Sequence, residues 1–268
     1  MHISEINIYP IKSLKSISLQ SAKVEERGLQ HDRRWMLVDE KRRFLTQREF
    51  PVMSRIRVSL SSDLLEAELD GRAISVPTGA QEKQVGNVAV WNSSVKAAFF
   101  EPEVDEWFSE VLGTRCQLAA MTDISKRLVN PFYAVRRFKD VVSFADGYPF
   151  LLIGEGSLAD LNERLGEPVP MNRFRPNFVV AGSEPFAEDS WKKIRIGDTL
   201  FHVVKPCARC VMTTIDQTAG EKSGTEPLKT LATYRNKRGK VMFGQNLIAD
   251  ASGGTINVGD PITVLSRS

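Results

Sequence analysis

The 268-residue chain has only three Cys and three His. Three Cys exclude a disulfide scaffold, and at this length none is needed to hold a core together. Long apolar runs are missing as well. None approaches the roughly 18 residues of a membrane-spanning helix, and the opening MHISEINIYPIKSLKS lacks the uninterrupted apolar segment of a signal peptide. Charge of one sign is scarce: 36 Lys and Arg stand against 33 Asp and Glu, a balance of +3. With the basic residues spread along the chain, a nucleic-acid polymer is not expected as a partner. Together these absences point to a cytoplasmic, reducing setting with no membrane partner. The remainder, 42% hydrophobic and 26% charged, is ordinary globular composition.

The chain reads mostly as short strands cut by turns. Residues 3–8, 35–39, 95–100 and 201–204 are β-branched or aromatic runs bounded by turn residues. Asp70-Gly71, between two alternating segments, signals a hairpin, and Gly197-Asp198 signals another. The second is echoed at Gly259-Asp260, which predicts a further hairpin at a sheet edge or barrel rim. Three helices are expected. Over 102–112, Val104, Trp107, Phe108, Val111 and Leu112 keep helical spacing between Pro102 and Gly113. Over 157–165, Ser157 is placed to cap and Gly166 to stop the helix. A shorter one covers 227–234. Few helices among many strands indicate an α+β, β-rich chain rather than a doubly wound sheet. A polar, poorly periodic stretch from 121 to 146 puts a domain boundary near 120, giving units 1–120 and 121–268.

Four clusters carry side chains suited to chemistry. Cys207-Ala208-Arg209-Cys210 lies between the strand-like FHVVKP and the β-branched run 211–215, unlike a thioredoxin-type pair at a helix start. Zinc would need two more ligands, with only Cys116 and scattered His left to give them. Two buried small hydrophobes are the plainer alternative, while Lys205 and Arg209 nearby favour thiolate, the form that binds soft metals. In Asn172-Arg173-Phe174-Arg175-Pro176-Asn177, guanidinium forks suit a phosphate, or else are a solvated pair. Lys12-Ser13 follows the first strand. His31-Asp32-Arg33-Arg34 runs directly into the strand at Trp35.

As a set, these clusters resemble the MOSC family, whose longer members include the mitochondrial amidoxime-reducing components and bacterial proteins that detoxify N-hydroxylated bases. YPIKS, HDRRW with LVDE, DGYPFLLI with SLADLN, RFRPN with VVAG, AEDSW, IGD, CARCVMTTID, EPLKTL and FGQN recur in order, nearly end to end. The resemblance implies an N-terminal β-rich MOSC-associated domain and a C-terminal MOSC β-barrel with peripheral helices.

It also implies a bound molybdenum cofactor, a pterin carrying a phosphate. Lys12, Ser13, Arg33 and Arg175 match cofactor-contacting positions, as do Asn177, Ala208, Arg209 and the turn Asp146, Gly147 and Tyr148. Cys210 matches the catalytic thiol that ligates molybdenum, leaving Cys207 a neighbour. The implied activity is two-electron reduction of N-hydroxylated compounds: hydroxylamines, amidoximes and N-hydroxylated bases. Too few Cys remain for an iron–sulfur cluster, so a separate electron-donor protein, a flavin or iron–sulfur reductase, is expected as partner. The alternative is a non-catalytic cofactor carrier or sulfur-transfer partner. Relatives of that kind pair the module with a pyridoxal-phosphate sulfurase, for which 268 residues leave no room, so pyridoxal phosphate is not expected.

Overall fold

The computed structural model describes residues 1–79 and 84–267. Its main sheet runs, in spatial order, through strands Ile17–Leu19, His2–Ile8, Phe178–Ala181, Phe150–Gly154, Lys240–Ala249, Thr199–Ala208, Trp191–Ile196 and Ile262–Arg267. The pairing of Phe150–Gly154 with Phe178–Ala181 is parallel and the others along this path are antiparallel. Alternation drives the assembly. Ile3, Ile6, Phe150, Phe178, Phe201 and Leu247 all face one buried core, with three of the Phe rings in mutual contact. The first 30 residues therefore share a core with residues 150–262.

A four-stranded sheet, Trp35–Val38, Gln117–Ala120, Ser93–Phe99 and Val85–Val90, and a meander, Arg57–Leu60, Leu64–Leu69 and Arg72–Pro77, build the rest of the first half. The helix α1, Pro102–Leu112, packs Val104, Trp107, Phe108 and Leu112 into a core shared with Trp35, Met53 and Leu118. It begins with Pro102 and stops at Gly113 in the left-handed conformation, as its spacing requires. Asp70 and Gly71, at φ +51° and +81°, form the primed turn expected between Leu64–Leu69 and Arg72–Pro77. Gly197-Asp198 likewise joins Trp191–Ile196 to Thr199–Ala208. The fold is α+β and β-rich, as the run of short strands implies.

Several expectations need correction. Among the described residues the main sheet does not close into a barrel. The outer edge of His2–Ile8 is divided between Ile17–Leu19 and a single bridge from His2 to Pro261, made by the Ile3 N–H to the Asp260 carbonyl and the Ile262 N–H to the Met1 carbonyl, so no further strand completes a ring. Gly259-Asp260 is not a hairpin turn. Thr255–Asn257 pairs with Ser21–Glu25, whereas Ile262–Arg267 pairs with Trp191–Ile196. The second helix, α2, spans Glu155–Glu163, two residues earlier than expected. Ser157 does not cap it; its hydroxyl is buried, donating to Glu188 and accepting from the Phe186 N–H. Arg164, not Gly166, follows its last turn. The third helix, α3, is Leu228–Tyr234. The β-branched run after the thiols is a 3-10 turn over Val211–Thr214 before the two-residue strand Ile215–Asp216. A β-branched sequence there yields to the turn because Thr213 and Thr214 hydroxyls donate back to the carbonyls of Cys210 and Val211.

Candidate functional site

A cleft of about 810 Å³, counted to its open mouth, lies where the loops at the strand ends converge. Lys12 and Ser13 enter it from the loop after the first strand, and Arg33 from the turn before Trp35. Asp146, Gly147 and Tyr148 enter from the segment before Phe150, and Arg175 and Asn177 from the approach to Phe178. Ala208, Arg209 and Cys210 come from the end of Thr199–Ala208 and the residues after it. All eleven residues picked out from the sequence, up to 198 positions apart, line this one cleft.

Its electrostatics are one-sided. Lys12, Arg33, Arg173, Arg175 and Arg209 line it against one carboxylate, Asp146. Each cation is held by the fold rather than by chance. The Lys12 ammonium, almost wholly buried, donates to the Phe144 carbonyl at 2.8 Å and to the Asp146 carboxylate at 2.6 Å. Burial lowers the Lys12 pKa, and Asp146 opposes that shift. For Asp146, desolvation alone would raise the pKa. The Lys12 charge and hydrogen bond, with Arg48 and the Trp91 indole N–H, outweigh it and hold the carboxyl well below its usual range.

Arg33 donates to Asp32 at 2.7 Å, to the Asn177 side-chain oxygen at 3.2 Å and to the Arg175 carbonyl at 3.2 Å. Arg175, 8% exposed, donates to the Leu14 carbonyl at 2.8 Å. Both guanidinium groups lie over the buried Tyr9 ring, at 4.2 and 4.1 Å from its centre. Ser13, Arg33 and Arg175 all have positive φ (68°, 50° and 57°). Non-glycine residues hold that conformation at a cost of about 1–3 kcal/mol each, a pattern concentrated at functional sites. Asn177 is a brace: its amide donates to the Asn7 carbonyl and its oxygen accepts from Leu151 N–H and Arg33.

The two thiols keep different company. Arg209 donates to the Cys207 sulfur at 3.1 Å and to the Phe174 carbonyl at 2.6 Å. Arg48 approaches the Cys210 sulfur at 3.6 Å. The Lys205 ammonium sits over the Tyr133 ring at 4.3 Å and 5.9 Å from that of Tyr148. Among the described residues no group of three or more His, Cys, Asp or Glu could hold a metal ion by itself.

Sequence reasoning missed four residues that shape the cleft. Arg48 lies between Cys210 and Asp146, 3.9 Å from the carboxylate, with its guanidinium 5.1 Å from the Trp91 ring centre. Trp91, at a hairpin tip with φ +53°, donates to Asp146 at 3.3 Å. Buried Arg127 donates to the Ser143, Ala145 and Asp146 carbonyls and so fixes the loop that carries Asp146. Tyr9 stands under both arginines. The YPIKS motif offered a signal for Tyr9, but nothing local marks the other three, which reach the site only through tertiary contact.

Two family models match the chain: the MOSC domain over residues 139–263 and the MOSC N-terminal beta barrel domain over residues 1–115. Mitochondrial amidoxime-reducing component 1 of Mus musculus is 32% identical over 281 residues, covering 99% of this chain and 82% of that protein. Its Homo sapiens counterpart is 31% identical over 284 residues, covering 99% and 83%. A molybdenum cofactor sulfurase of Oryza sativa subsp. japonica is 34% identical over 270 residues, covering 91% of this chain and 32% of the sulfurase. This chain thus spans about a third of the length of the sulfurases it matches. With both modules matched in order and its amidoxime-reducing relatives aligned almost throughout, the chain belongs to the MOSC family.

Proposed function

We propose that this protein is a molybdenum-cofactor-dependent oxidoreductase that reduces N-hydroxylated compounds with electrons from a separate redox protein. The observation that carries the reading is the cleft itself: five cations against one carboxylate, beside two cysteines. Its donor set suits a phosphate-bearing, polar heterocycle next to a soft metal. The Nε atoms of Arg173 and Arg209 are buried with no hydrogen-bond partner, which leaves donors for an anionic ligand to satisfy. The relatives named as amidoxime-reducing components support the substrate class.

In this reading Lys12, Ser13, Arg33 and Arg175 hold the phosphate and pterin, with Asp146, Gly147, Tyr148, Asn177, Ala208 and Arg209 completing the cradle. Cys210 ligates the metal, and Cys207 is a neighbour. When bound, the cofactor supplies two-electron oxygen-atom chemistry. The protein's residues orient it, and Arg48 and Trp91 wall the mouth beside Cys210. The chain divides in function into an N-terminal module, 1–120, and the cofactor module, 121–268, with the first strand of the former built into the sheet of the latter. Among the described residues no helix is long and apolar enough to cross a membrane.

The second reading, a cofactor carrier or sulfur-transfer partner, draws support from the sulfurase relatives. Both are tested on protein made in cells that synthesise the cofactor. Metal and pterin analysis is combined with benzamidoxime reduction by viologen. Molybdenum with turnover is expected. Molybdenum without turnover supports the carrier, and absence of both sinks the two together. Cys210→Ser abolishes turnover while Cys207→Ser keeps a substantial part of it; equal loss in folded variants contradicts the single-ligand assignment.

A further inference from the structure

One surface beside the cleft departs from the rest of the molecule. Residues 124–139 contain five Lys or Arg and no Asp or Glu, in a chain whose charges are otherwise nearly balanced. Arg127 turns inward to hold the Asp146 loop and Arg136 pairs with buried Asp140 at 2.9 Å, while Lys126, Arg137 and Lys139 remain exposed. Large apolar side chains stand among them: Phe132 is 89% exposed and Phe138 57%. Phe138 keeps φ +63°, a conformation that a bulky side chain adopts only when the surroundings impose it. The segment joins the cleft through Tyr133, whose ring lies 6.2 Å from that of Tyr148 on the cleft wall.

We propose that the acid-free, aromatic segment 124–139 at the lip of the cleft is the docking surface for an acidic electron-donor protein. The inference rests on the reductase reading above and adds the place and the charge of the partner. Aromatic side chains with arginine are what protein interfaces enrich, and a basic patch steers an acidic partner to it. Location decides against an anionic lipid surface. A bilayer pressed on this lip would cover the mouth and deliver no electrons, whereas a redox protein docked there brings its electron-carrying group next to the cavity wall. The overall step is R–NH–OH + 2 e⁻ + 2 H⁺ → R–NH₂ + H₂O. The N–O bond breaks, one N–H and one O–H bond form, the partner is oxidised by two electrons, and solvent supplies the protons.

The test uses the cofactor-loaded protein with reduced flavodoxin, an acidic flavin protein, as donor, in parallel with reduced methyl viologen. Arg137→Glu combined with Lys139→Glu, and separately Phe132→Ser, change only exposed side chains outside the cleft. Each is expected to raise the KM for flavodoxin about tenfold, and the charge reversal to flatten its dependence on salt. Molybdenum content and viologen-driven turnover stay at the level of the unaltered protein. An unchanged flavodoxin KM in both variants overturns the proposal. So does turnover of the unaltered protein with viologen but none with flavodoxin, which leaves the reductase reading standing. Failure with viologen as well overturns the reductase reading beneath it. Sedimentation with phosphatidylserine vesicles that the variants abolish, with flavodoxin kinetics unchanged, assigns the segment to a lipid surface instead.

Discussion

Arg175 shows how one residue is committed to a site by backbone, packing and charge together. Its positive φ turns the side chain under the cleft, its guanidinium lies over Tyr9, and burial pushes its pKa down to about 10, so it stays charged at neutral pH. If it anchors the phosphate, Arg175→Ala lowers molybdenum and pterin occupancy while activity per bound metal changes little. A charge-assisted hydrogen bond is worth about 1.5–3 kcal/mol, so retention weakens about ten- to a hundredfold. Arg175→Lys restores part of it, because an ammonium keeps the charge and loses the fork. A folded Arg175→Ala protein that keeps full cofactor through prolonged dilution removes Arg175 from the anchor. At this scale the sequence was informative where chemistry is local, as in Lys12-Ser13 or the CARC segment. It was silent on Arg48, whose importance arises only because a loop from the first half of the chain comes within 3.6 Å of Cys210.

Elements with strong local rules were legible, and those decided by their neighbours were not. The α1 helix and the Asp70-Gly71 turn follow from spacing and from residues that accept positive φ. The Gly259-Asp260 turn carries the same letters as Gly197-Asp198. It fails as a hairpin because Pro261 follows and because Ser21–Glu25 claims Thr255–Asn257 as its partner. Among the glycines at positive φ, Gly244 in Lys240–Ala249 leaves the least room for a Cβ. It has φ +79°, and a Cβ there would lie 2.6 Å from Ile153 Cγ1 and 2.9 Å from the Leu152 carbonyl oxygen. Gly244→Ala therefore meets both a left-handed backbone penalty and overpacking against Phe150–Gly154, together about 2–5 kcal/mol. Urea unfolding reads this directly, and a loss under 1 kcal/mol would mean that the two strands move apart at little cost. The same strand lies beside Thr199–Ala208, which ends at the thiols, so cofactor retention should fall along with stability.

Across the whole molecule, two buried acids that the proposed chemistry does not use contribute to the behaviour at high pH. Cys116, 4% exposed under α1, has its thiol pushed up to about 11 by burial, against a partial offset from Ser109. Burial likewise pushes the Tyr9 phenol up to about 12, with Arg175 and Arg33 pulling it down. In each the neutral form is favoured on folding, so the unfolded chain releases the proton first as pH rises. The stability they give is complete below the unfolded pKa values, 9.0 and 10.0, and is lost through pH 9–11 for Cys116 and pH 10–12 for Tyr9. A two-unit shift corresponds to about 3 kcal/mol for each. Lys12, Arg127 and Arg175 act in the opposite sense, since their lowered pKa values let the folded protein lose a proton before the unfolded chain does, while Tyr148 and Tyr234 are raised as Tyr9 is, so the bare alkaline curve mixes them all. Variants separate them. Cys116→Ala should flatten the fall in urea-unfolding free energy between pH 9 and 11 and leave the slope above it unchanged. Tyr9→Phe should flatten the slope between pH 10 and 12, although it also gives up the hydrogen bond from its hydroxyl to the Pro176 carbonyl. A Cys116→Ala protein whose stability falls as steeply as the parent's between pH 9 and 11 would show that the thiol ionises inside the fold without penalty, and that water reaches the core beneath α1.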